Sequence, residues 1–281
     1  MRRSSPPRTR LVGVALLVTL LAGCGKSLPR PEDLPGDDLT KQAKGRRILE
    51  RALTAHGGEE AWAEARVMRY HLRDTWEPRA AWMCPYPLDD PVIGLTFDYR
   101  TNGGRMEFPE APGAIWGTQG VLGWGVRDGE RVEGAAAAAA TVILGMARLL
   151  GMPFVLGDPH ERVYYAGKRD LAGVAHESLL VLFPEAGGGG ETRYLAYFDP
   201  KAGTLKRIEY TLPGRAGLLE GYADYVSWLS AEDLLVAKRV EIGIRRPFTA
   251  AVDTLEVETV DVGVSVDPAQ FAPPDLPVSG K

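Results

Sequence analysis

The side chains that could carry out chemistry are few, and their spacing matches no catalytic or metal-binding motif. No two of the four histidines lie four residues apart, so the pair of helical ligands that zinc proteases need is missing. The segment from Gly263 to Asp267 has the first glycine of a nucleophile elbow and lacks the second. The glycines between Gly117 and Gly125 are not followed by Lys and Ser or Thr, as a phosphate-binding loop would be. We therefore expect no catalytic residue, no metal, no cofactor and no enzymatic activity.

One of the two cysteines, Cys24, lies in a segment that predicts a different chemistry, the attachment of lipid to its thiol. Four arginines precede an uncharged apolar run that starts at Leu11 and covers 13 residues. That run is shorter than the roughly 20 residues that a membrane-spanning helix needs, and this order of charge and apolarity is typical of an export signal. Leu21-Ala22-Gly23-Cys24 follows and resembles the lipobox of bacterial lipoproteins. We expect residues 1–23 to be removed as a signal peptide and Cys24 to carry lipid; an ordinary signal peptide with an incidental cysteine is the alternative.

The charge of the processed chain favours attachment to the membrane through lipid alone. Loss of residues 1–23 removes four of the 33 basic side chains, so 29 remain against 37 acidic ones and the net charge falls from −4 to −8. Such a chain is repelled by anionic lipid, so acyl chains must hold it, each buried CH₂ contributing roughly 0.8 kcal/mol. The same acidic balance argues against nucleic acid as a partner. Residues 24–39, which contain several prolines, are expected to form a lipidated tether.

The residues after Cys24 favour an outer-membrane location. In enteric lipoproteins an Asp directly after the lipidated cysteine marks retention at the inner membrane, whereas Gly25 and Lys26 follow here. By this resemblance we expect a lipoprotein at the outer membrane that faces the periplasm, with the inner membrane and the cell surface as alternatives. The other cysteine, Cys84, is expected to be a free thiol, although a disulfide between two copies of the chain is also open.

The elements that would position a binding site begin at Thr40, where an amphipathic helix of about four turns is predicted. The residues expected on its buried face are Ile48, Leu49, Ala52 and Leu53. His56 is expected to cap this helix, and Gly57-Gly58 to end it. A short second helix from Glu59 to Ala65 is expected to carry Trp62 inward.

From Val67 on, apolar residues recur at every second position, which indicates strands. The turns Asn102-Gly103-Gly104 and Asp199 to Gly203 separate such segments, and about eleven strands are predicted in all. Their connections are short, so neighbours in sequence are expected to pair antiparallel. A flat sheet of this length would expose its apolar face. We therefore predict a mainly β fold with helices, in which a curled antiparallel sheet forms an incomplete barrel.

The segment from Gly134 to Leu150 interrupts the predicted strands and is expected to be a helix. Its uncharged part, Gly134 to Ala147, has 14 residues, too few to span a membrane. The segment is apolar nearly all round, which is typical of a helix buried on most sides. Together with the first helix it is expected to plug the concave face of the sheet, within one domain over residues 40–281.

The concave face of the sheet is the expected binding site. Its inward residues are apolar and offer no polar handle, which suits an acyl chain or another hydrophobic ligand. The candidate ligand-binding residues are Met68, Tyr70, Leu72, Trp76, Phe97 and Tyr99. A structural or scaffolding lipoprotein, whose cavity is filled by the helix from Gly134 to Leu150, is the alternative.

Three stretches of the chain resemble the LolA/LolB-like superfamily of periplasmic carriers and outer-membrane lipoproteins. They cover residues 48–62, 152–158 and 194–241, and the ending at 266–274 is similar as well. The resemblance implies an incomplete antiparallel barrel of about eleven strands with helices over its apolar mouth, and it suggests a lipoprotein acyl chain as a ligand. Because the carrier bears no lipid, Cys24 makes this chain closer in kind to the receptor of the superfamily. We expect a monomer.

The lipobox predicts the fate of a Cys24→Ser variant. Without the thiol there is no site for the lipid, so the variant should remain a precursor with its signal attached. When cells are grown with a radioactive fatty acid, the wild-type protein should be labelled and the variant should not. Equal labelling of the two proteins would contradict the lipoprotein assignment.

Overall fold

Alternating apolar residues from Val67 on build an antiparallel sheet of 13 strands in the computed structural model of the protein. The structure describes residues 27–132, 134–157, 161–184, 191–212 and 219–274 of the 281-residue chain. The strands are β1 (Val67–Trp76), β2 (Val92–Asp98), β3 (Gly103–Glu107), β4 (Ile115–Gln119), β5 (Leu122–Arg127), β6 (Glu130–Arg131), β7 (Arg162–Leu171), β8 (Val174–Pro184), β9 (Glu191–Phe198), β10 (Leu205–Thr211), β11 (Glu220–Ala231), β12 (Leu234–Arg246) and β13 (Ala250–Val262).

The order across the sheet is β6-β5-β4-β3-β2-β1-β13-β12-β11-β10-β9-β8-β7. Neighbours in sequence pair antiparallel, as predicted, except β6 and β7, and the one pairing of described strands far apart in the chain joins β1 to β13. β6 and β7 form the two edges, and within the described ranges the sheet does not close into a barrel. The predicted fold class is therefore confirmed. The two strands that the sequence did not predict are β4 and β6; β6 has only 2 residues, too short for any period to show.

The helices of the described ranges are α1 (Asp38–Ala55), α2 (Glu59–Glu64) and α3 (Ala135–Leu150), and 3₁₀ turns span Pro31–Asp33, Ala81–Met83, Phe154–Gly157 and Pro268–Phe271. The side chain of Asp37 caps α1 by accepting a hydrogen bond from the Thr40 amide at 2.9 Å. His56 ends this helix and Gly57 follows with a φ of 115°, which only glycine adopts readily. None of these helices combines the length and the apolar character that crossing a membrane requires.

The main hydrophobic core lies between the concave face of the sheet and the three helices. The residues that α1 buries there are those predicted, namely Ile48, Leu49, Ala52 and Leu53. Trp62 of α2 points into the same core. α1 packs on β7 at Gly45, where a Cβ would lie 3.0 Å from the backbone of Tyr164 and Tyr165. α3 packs on β3, β4 and β5, so the two longer helices cover the concave face from opposite sides.

A second hydrophobic cluster lies on the convex face, where residues 27–37 pack on β7, β8 and β9. Leu28 and Leu34 are buried there against outward side chains of these strands. Lys41 of α1 donates through Nζ to the main-chain oxygens of Pro31 and Leu34, at 3.1 and 3.2 Å. The described part of the expected tether is thus packed against the sheet.

Three glycines in the sheet allow α3 to approach it closely, and we call Gly104, Gly123 and Gly125 the glycine seat. A Cβ at Gly123 would overlap the main-chain oxygen of Ala136 and lie 2.7 Å from the amide of Ala140. A Cβ at Gly125 would lie 2.6 Å from that of Ala135. Gly123 and Gly125, whose spacing superficially resembles a phosphate-binding loop, therefore lie in β5 beneath a helix.

The glycine seat predicts a large effect of a Gly123→Ala substitution. The added methyl has no space beneath α3, so the helix must shift and the protein should lose roughly 1–3 kcal/mol of stability, as overpacked sites do. Gly94→Ala is the matched control, because a Cβ at Gly94 of β2 meets no atom within 4 Å. Urea unfolding should show a lower midpoint for Gly123→Ala and an unchanged or higher midpoint for Gly94→Ala. Equal midpoints for the two variants would disprove the close contact.

Candidate ligand-binding site beneath helix α3

The inner face of α3 fills the space above the part of the concave face that β3, β4 and β5 form. The side chains that α3 buries there are Ala139, Ala140, Ile143, Met146, Ala147 and Leu150. Most of them share one continuous core with side chains of β1, β2 and β3. In this arrangement the aliphatic side chains of α3 occupy the place that a hydrophobic ligand would take. A ligand can reach the sheet there only if α3 moves.

Most of the predicted ligand-binding residues lie in this core. Met68, Tyr70 and Leu72 of β1 are fully buried, and so is Phe97 of β2. Tyr99 is half-buried and lies against the core, its ring centroid 4.8 Å from that of Phe97.

Trp76 and Cys24 are the two predicted site residues that the structure does not bring into this core. Trp76 is half-buried at the end of β1, opposite Asp253, and is not among the core residues of the described chain. Cys24 lies outside the described residues. The period of two thus identified the inward positions of β1 and β2, and Trp76, at the end of this series, lies on the concave face beyond the core.

Three tyrosines hold the C-terminal turn of α3, and we call Tyr99, Tyr194 and Tyr225 the tyrosine latch. Tyr99 and Tyr225 each donate a hydrogen bond of 2.9 Å from the hydroxyl, to the main-chain oxygens of Ala147 and Leu149 respectively. Tyr194 accepts one of 3.2 Å from Arg148. The Ala147 oxygen also accepts from the Gly151 amide at 2.8 Å and the Leu149 oxygen from the Met152 amide at 3.4 Å. Each hydroxyl therefore supplies a second donor to a carbonyl group at the end of the helix, where partners within the helix run out.

Burial keeps the two donors of the tyrosine latch in their protonated form. It raises the pKa of Tyr99 and of Tyr225 well above the ordinary tyrosine value of 10.0. Both hydroxyls therefore donate over the whole physiological pH range. The roles of Tyr194 and Tyr225 are not evident from the sequence, because these residues are far from α3 in the chain and no local pattern links them to it.

The N-terminal half of α3 is held differently. Its N-cap residue is Gly134, in a left-handed conformation with a φ of 83°, and no side chain caps the helix there. The alanines that follow make van der Waals contact with the glycine seat. One end of α3 is therefore held by buried hydrogen bonds and the other by the packing of small groups.

A pair of carboxyl groups lies on the concave side of the sheet, near the end of β1. Asp74 of β1 and Asp253 of β13 are 1% and 8% exposed and are diagonal neighbours, since Asp74 pairs with Leu255. The hydroxyl of Tyr86 donates to Oδ2 of Asp74 at 2.7 Å. Burial, above all, raises the pKa of Asp74 to about 6. Burial and the nearby Asp74 carboxyl raise the pKa of Asp253 to about 8, so the pair holds about one proton near neutral pH.

This carboxyl pair corrects the expectation that the concave face offers no polar handle. The sequence indicates half of this pair, because Asp74 continues the inward series of Met68, Tyr70 and Leu72 at every second residue. Its partner Asp253 could not be found in the same way, because the pairing of β1 with β13 joins the two ends of the sheet-forming chain. Within the described residues no group of three His, Cys, Asp or Glu could hold a metal ion.

His56 has the capping position that the sequence predicts. Its Nδ1 lies 2.7 Å from the main-chain oxygen of Ala52, and the ring is fully buried with its edge toward Trp228. Burial lowers the pKa of His56 below its ordinary value, which outweighs the preference of a helix C-terminus for the charged form. Cys84 is half-buried and forms no disulfide within the described residues.

Two solved structures share this architecture. One is a domain from Vibrio parahaemolyticus described as a putative outer membrane lipoprotein-sorting protein domain, which superposes with a TM-score of 0.51 at 12% sequence identity. The match covers 82% of this chain and 97% of the other protein's chain. A LolA superfamily protein from Nitrosomonas europaea has a TM-score of 0.53 at 10% identity, with the same coverage of 82% and 97%. No family model and no curated protein matches the sequence. The chain has the LolA/LolB-like fold that its sequence resembles.

The carboxyl pair predicts how stability depends on pH. Because the pKa of Asp253 is raised from 3.8 to about 8 in the folded state, the protonated form stabilises the fold at low pH and this contribution is lost as the pH rises toward 8. The urea concentration at the unfolding midpoint of the wild-type protein should therefore decrease as the pH is raised from about 5 to about 8. Asp253→Asn cannot ionise, so its midpoint should fall less.

The exposed Asp261 on the same strand supplies the control. Asp261→Asn should follow the wild-type dependence on pH. If Asp253→Asn also follows it, the carboxyl of Asp253 is not protonated in the folded protein at neutral pH.

Proposed function

We propose that the protein is a lipid-anchored lipoprotein of the cell envelope, held at the outer membrane by lipid on Cys24 and facing the periplasm. Its concave face binds an acyl chain of a lipid or lipoprotein, or another hydrophobic ligand of that kind. It acts by binding and not by catalysis. The fold and the lipobox support this assignment. The observation that indicates an acyl chain as the ligand is the apolar inner face of α3.

The inner face of α3 indicates which ligand the sheet can accept. Ile143, Met146 and Leu150 present apolar, flexible or singly branched side chains to the aromatic and aliphatic side chains of the sheet. An acyl chain offers the same chemistry, and its burial is favourable by roughly 0.8 kcal/mol for each CH₂. It can therefore replace these side chains without leaving a cavity or an unpaired polar group.

The unequal attachment of α3 indicates how the ligand enters. Among the described residues, the N-terminal half meets the glycine seat through van der Waals contacts, which are individually weak, so it can lift from the seat without breaking a hydrogen bond to it. Movement of the C-terminal turn would instead take the Ala147 and Leu149 oxygens away from the hydroxyls of Tyr99 and Tyr225, and a buried donor left without an acceptor costs roughly 1–3 kcal/mol. α3 thus opens about the tyrosine latch, and the ligand enters beneath its N-terminal half.

The structural alternative also rests on an observation. Ile143 and Ala147 are fully buried and Leu150 is 2% exposed, so the protein fills its own interior when α3 is closed. A protein that never opened α3 would serve as a scaffold and bind nothing. Measurement of ligand uptake separates the two functions.

The test is the binding of a fluorescent fatty acid to the purified protein. Gly123→Ala weakens the closed position of α3, so a larger fraction of the protein is open and the apparent affinity should rise, by at least about fivefold if the closed state loses 1 kcal/mol or more. Gly94→Ala should bind the probe as the wild-type protein does. Native mass spectrometry of the wild-type protein should in addition show a co-purifying lipid.

Folded wild-type and Gly123→Ala proteins that both take up no probe would contradict ligand binding and favour the scaffold. Equal uptake by Gly123→Ala and Gly94→Ala would show that ligand enters without movement of the N-terminal half of α3. Circular dichroism of each variant confirms that it is folded before the comparison is made.

A further inference from the structure

The chain enters the folded domain at a fixed point, Leu28. This residue is 1% exposed, and its amide donates to Oε1 of Glu220 at 2.9 Å. Its main-chain oxygen accepts a hydrogen bond of 2.6 Å from Nη1 of Arg193. Glu220 is itself fully buried and paired with Arg245. The position of Leu28 is therefore set by buried, charge-assisted hydrogen bonds, which are among the stronger ones in proteins.

Leu28 lies at one end of the sheet. Glu220 is the first residue of β11, and it pairs with Thr211 at the end of β10 and with Arg246 at the end of β12. The antiparallel order places the end of β1 and the start of β13 at the same end, since Trp76 pairs with Asp253. We call this the Leu28 end of the sheet.

Two exposed aromatic side chains belong to the Leu28 end. Trp82 lies in the connection between β1 and β2 and is 82% exposed; Phe248 lies in the hairpin between β12 and β13 and is 60% exposed. The amide of Glu77, which starts the first connection, donates to the main-chain oxygen of Val252 at 2.8 Å, so both connections leave the sheet side by side. Aromatic rings favour the boundary between lipid and water, where one side is apolar and the other is wet.

The proposed lipid anchor lies close to this end. Cys24 precedes Leu28 by four residues. Consecutive Cα atoms are 3.8 Å apart, so the two Cα atoms can be at most about 15 Å from each other. The other end of the sheet is farther away, because the 10 residues of β1 alone span about 33 Å.

From these observations we propose that the Leu28 end of the sheet lies on the membrane surface, with Trp82 and Phe248 inserted among the lipid headgroups. This inference rests on the lipid anchor of the proposed function and adds an orientation to it. The short segment between Cys24 and Leu28 holds the two aromatic side chains at the bilayer. Their insertion then directs the long axis of the strands away from the membrane surface. The opposite end, with the turn between β4 and β5, then points away from the bilayer.

The turn between β4 and β5 supplies a matched control. Val121 and Leu122 are 73% and 72% exposed there, so this end also presents apolar side chains to solvent. The pairings of Leu122 with Gln119, of Gln119 with Gly103 and of Gly103 with Asp98 place it opposite the Leu28 end. Apolar exposure is thus similar at the two ends, which differ in the kind of side chain, aromatic against aliphatic, and in their distance from Cys24.

The experiment uses the full-length, lipidated protein in vesicles of phosphatidylethanolamine and phosphatidylglycerol that contain a spin-labelled lipid. Cys84→Ser removes the free thiol, and Trp82→Cys, Phe248→Cys or Leu122→Cys in this background then carries one fluorescent label. Quenching by the spin-labelled lipid should be at least twofold stronger at 82 and 248 than at 122. Intact mass measured before reconstitution reports whether the chain carries acyl groups.

Each outcome decides a separate point. Acylated protein with equal or stronger quenching at 122, or with quenching at none of the three positions, overturns the orientation and leaves the lipid anchor standing. Protein without acyl groups overturns the anchor, and the inference fails with it. Strong quenching at 82 and 248 alone establishes the orientation.

Discussion

The inner face of the sheet is apolar apart from the carboxyl pair of Asp74 and Asp253, and shielding it from water is the constraint on which the rest of the molecule depends. The edges of the sheet, β6 and β7, are consecutive strands in the chain, and α3 lies between them in sequence. The connection that crosses the open side of the sheet is therefore the helix that covers it. α1 covers the β7 side, so the sheet can remain open without exposing its core.

The way in which α3 meets the sheet connects this packing to function. Small residues on both sides let the helix backbone approach the strands closely, so the contact is densely packed. It contains no hydrogen bond between the described residues of the glycine seat and α3 that would be lost when the helix moves away. The tyrosine latch at the other end is buried and directional. A helix held in this way can open at one end while remaining attached at the other. The same features give the protein a filled core when no ligand is present.

The polar groups within the core lie at its boundaries. The carboxyl pair of Asp74 and Asp253 lies toward the Leu28 end, and the hydroxyls of the tyrosine latch lie beneath the last turn of α3. The side chains between them, such as Met68, Leu72 and Phe97, are fully buried and hydrocarbon-rich. A ligand on this face therefore meets an apolar surface along its length and polar groups only near its ends, an arrangement suited to an acyl chain with a polar head.

The sequence by itself determined the elements whose pattern is local. The buried face of α1 follows from a period of 3.6, and the inward positions of Met68, Tyr70, Leu72 and Phe97 follow from a period of two. For α3 the sequence predicts the helix but not its orientation, because a helix that is apolar nearly all round has no pattern to indicate which side faces the sheet. The structure turns Ile143 and Ala147 inward.

Only the tertiary structure decided the features that depend on contacts between distant segments. Asp253 meets Asp74, and Tyr225 meets the end of α3, because strands far apart in the chain are neighbours in the sheet or lie beneath the same helix. Gly123 supports a helix, and Leu28 is bound by Glu220, for the same reason. A side-chain period is a property of consecutive residues, whereas these contacts depend on strand order and register, which consecutive residues do not encode.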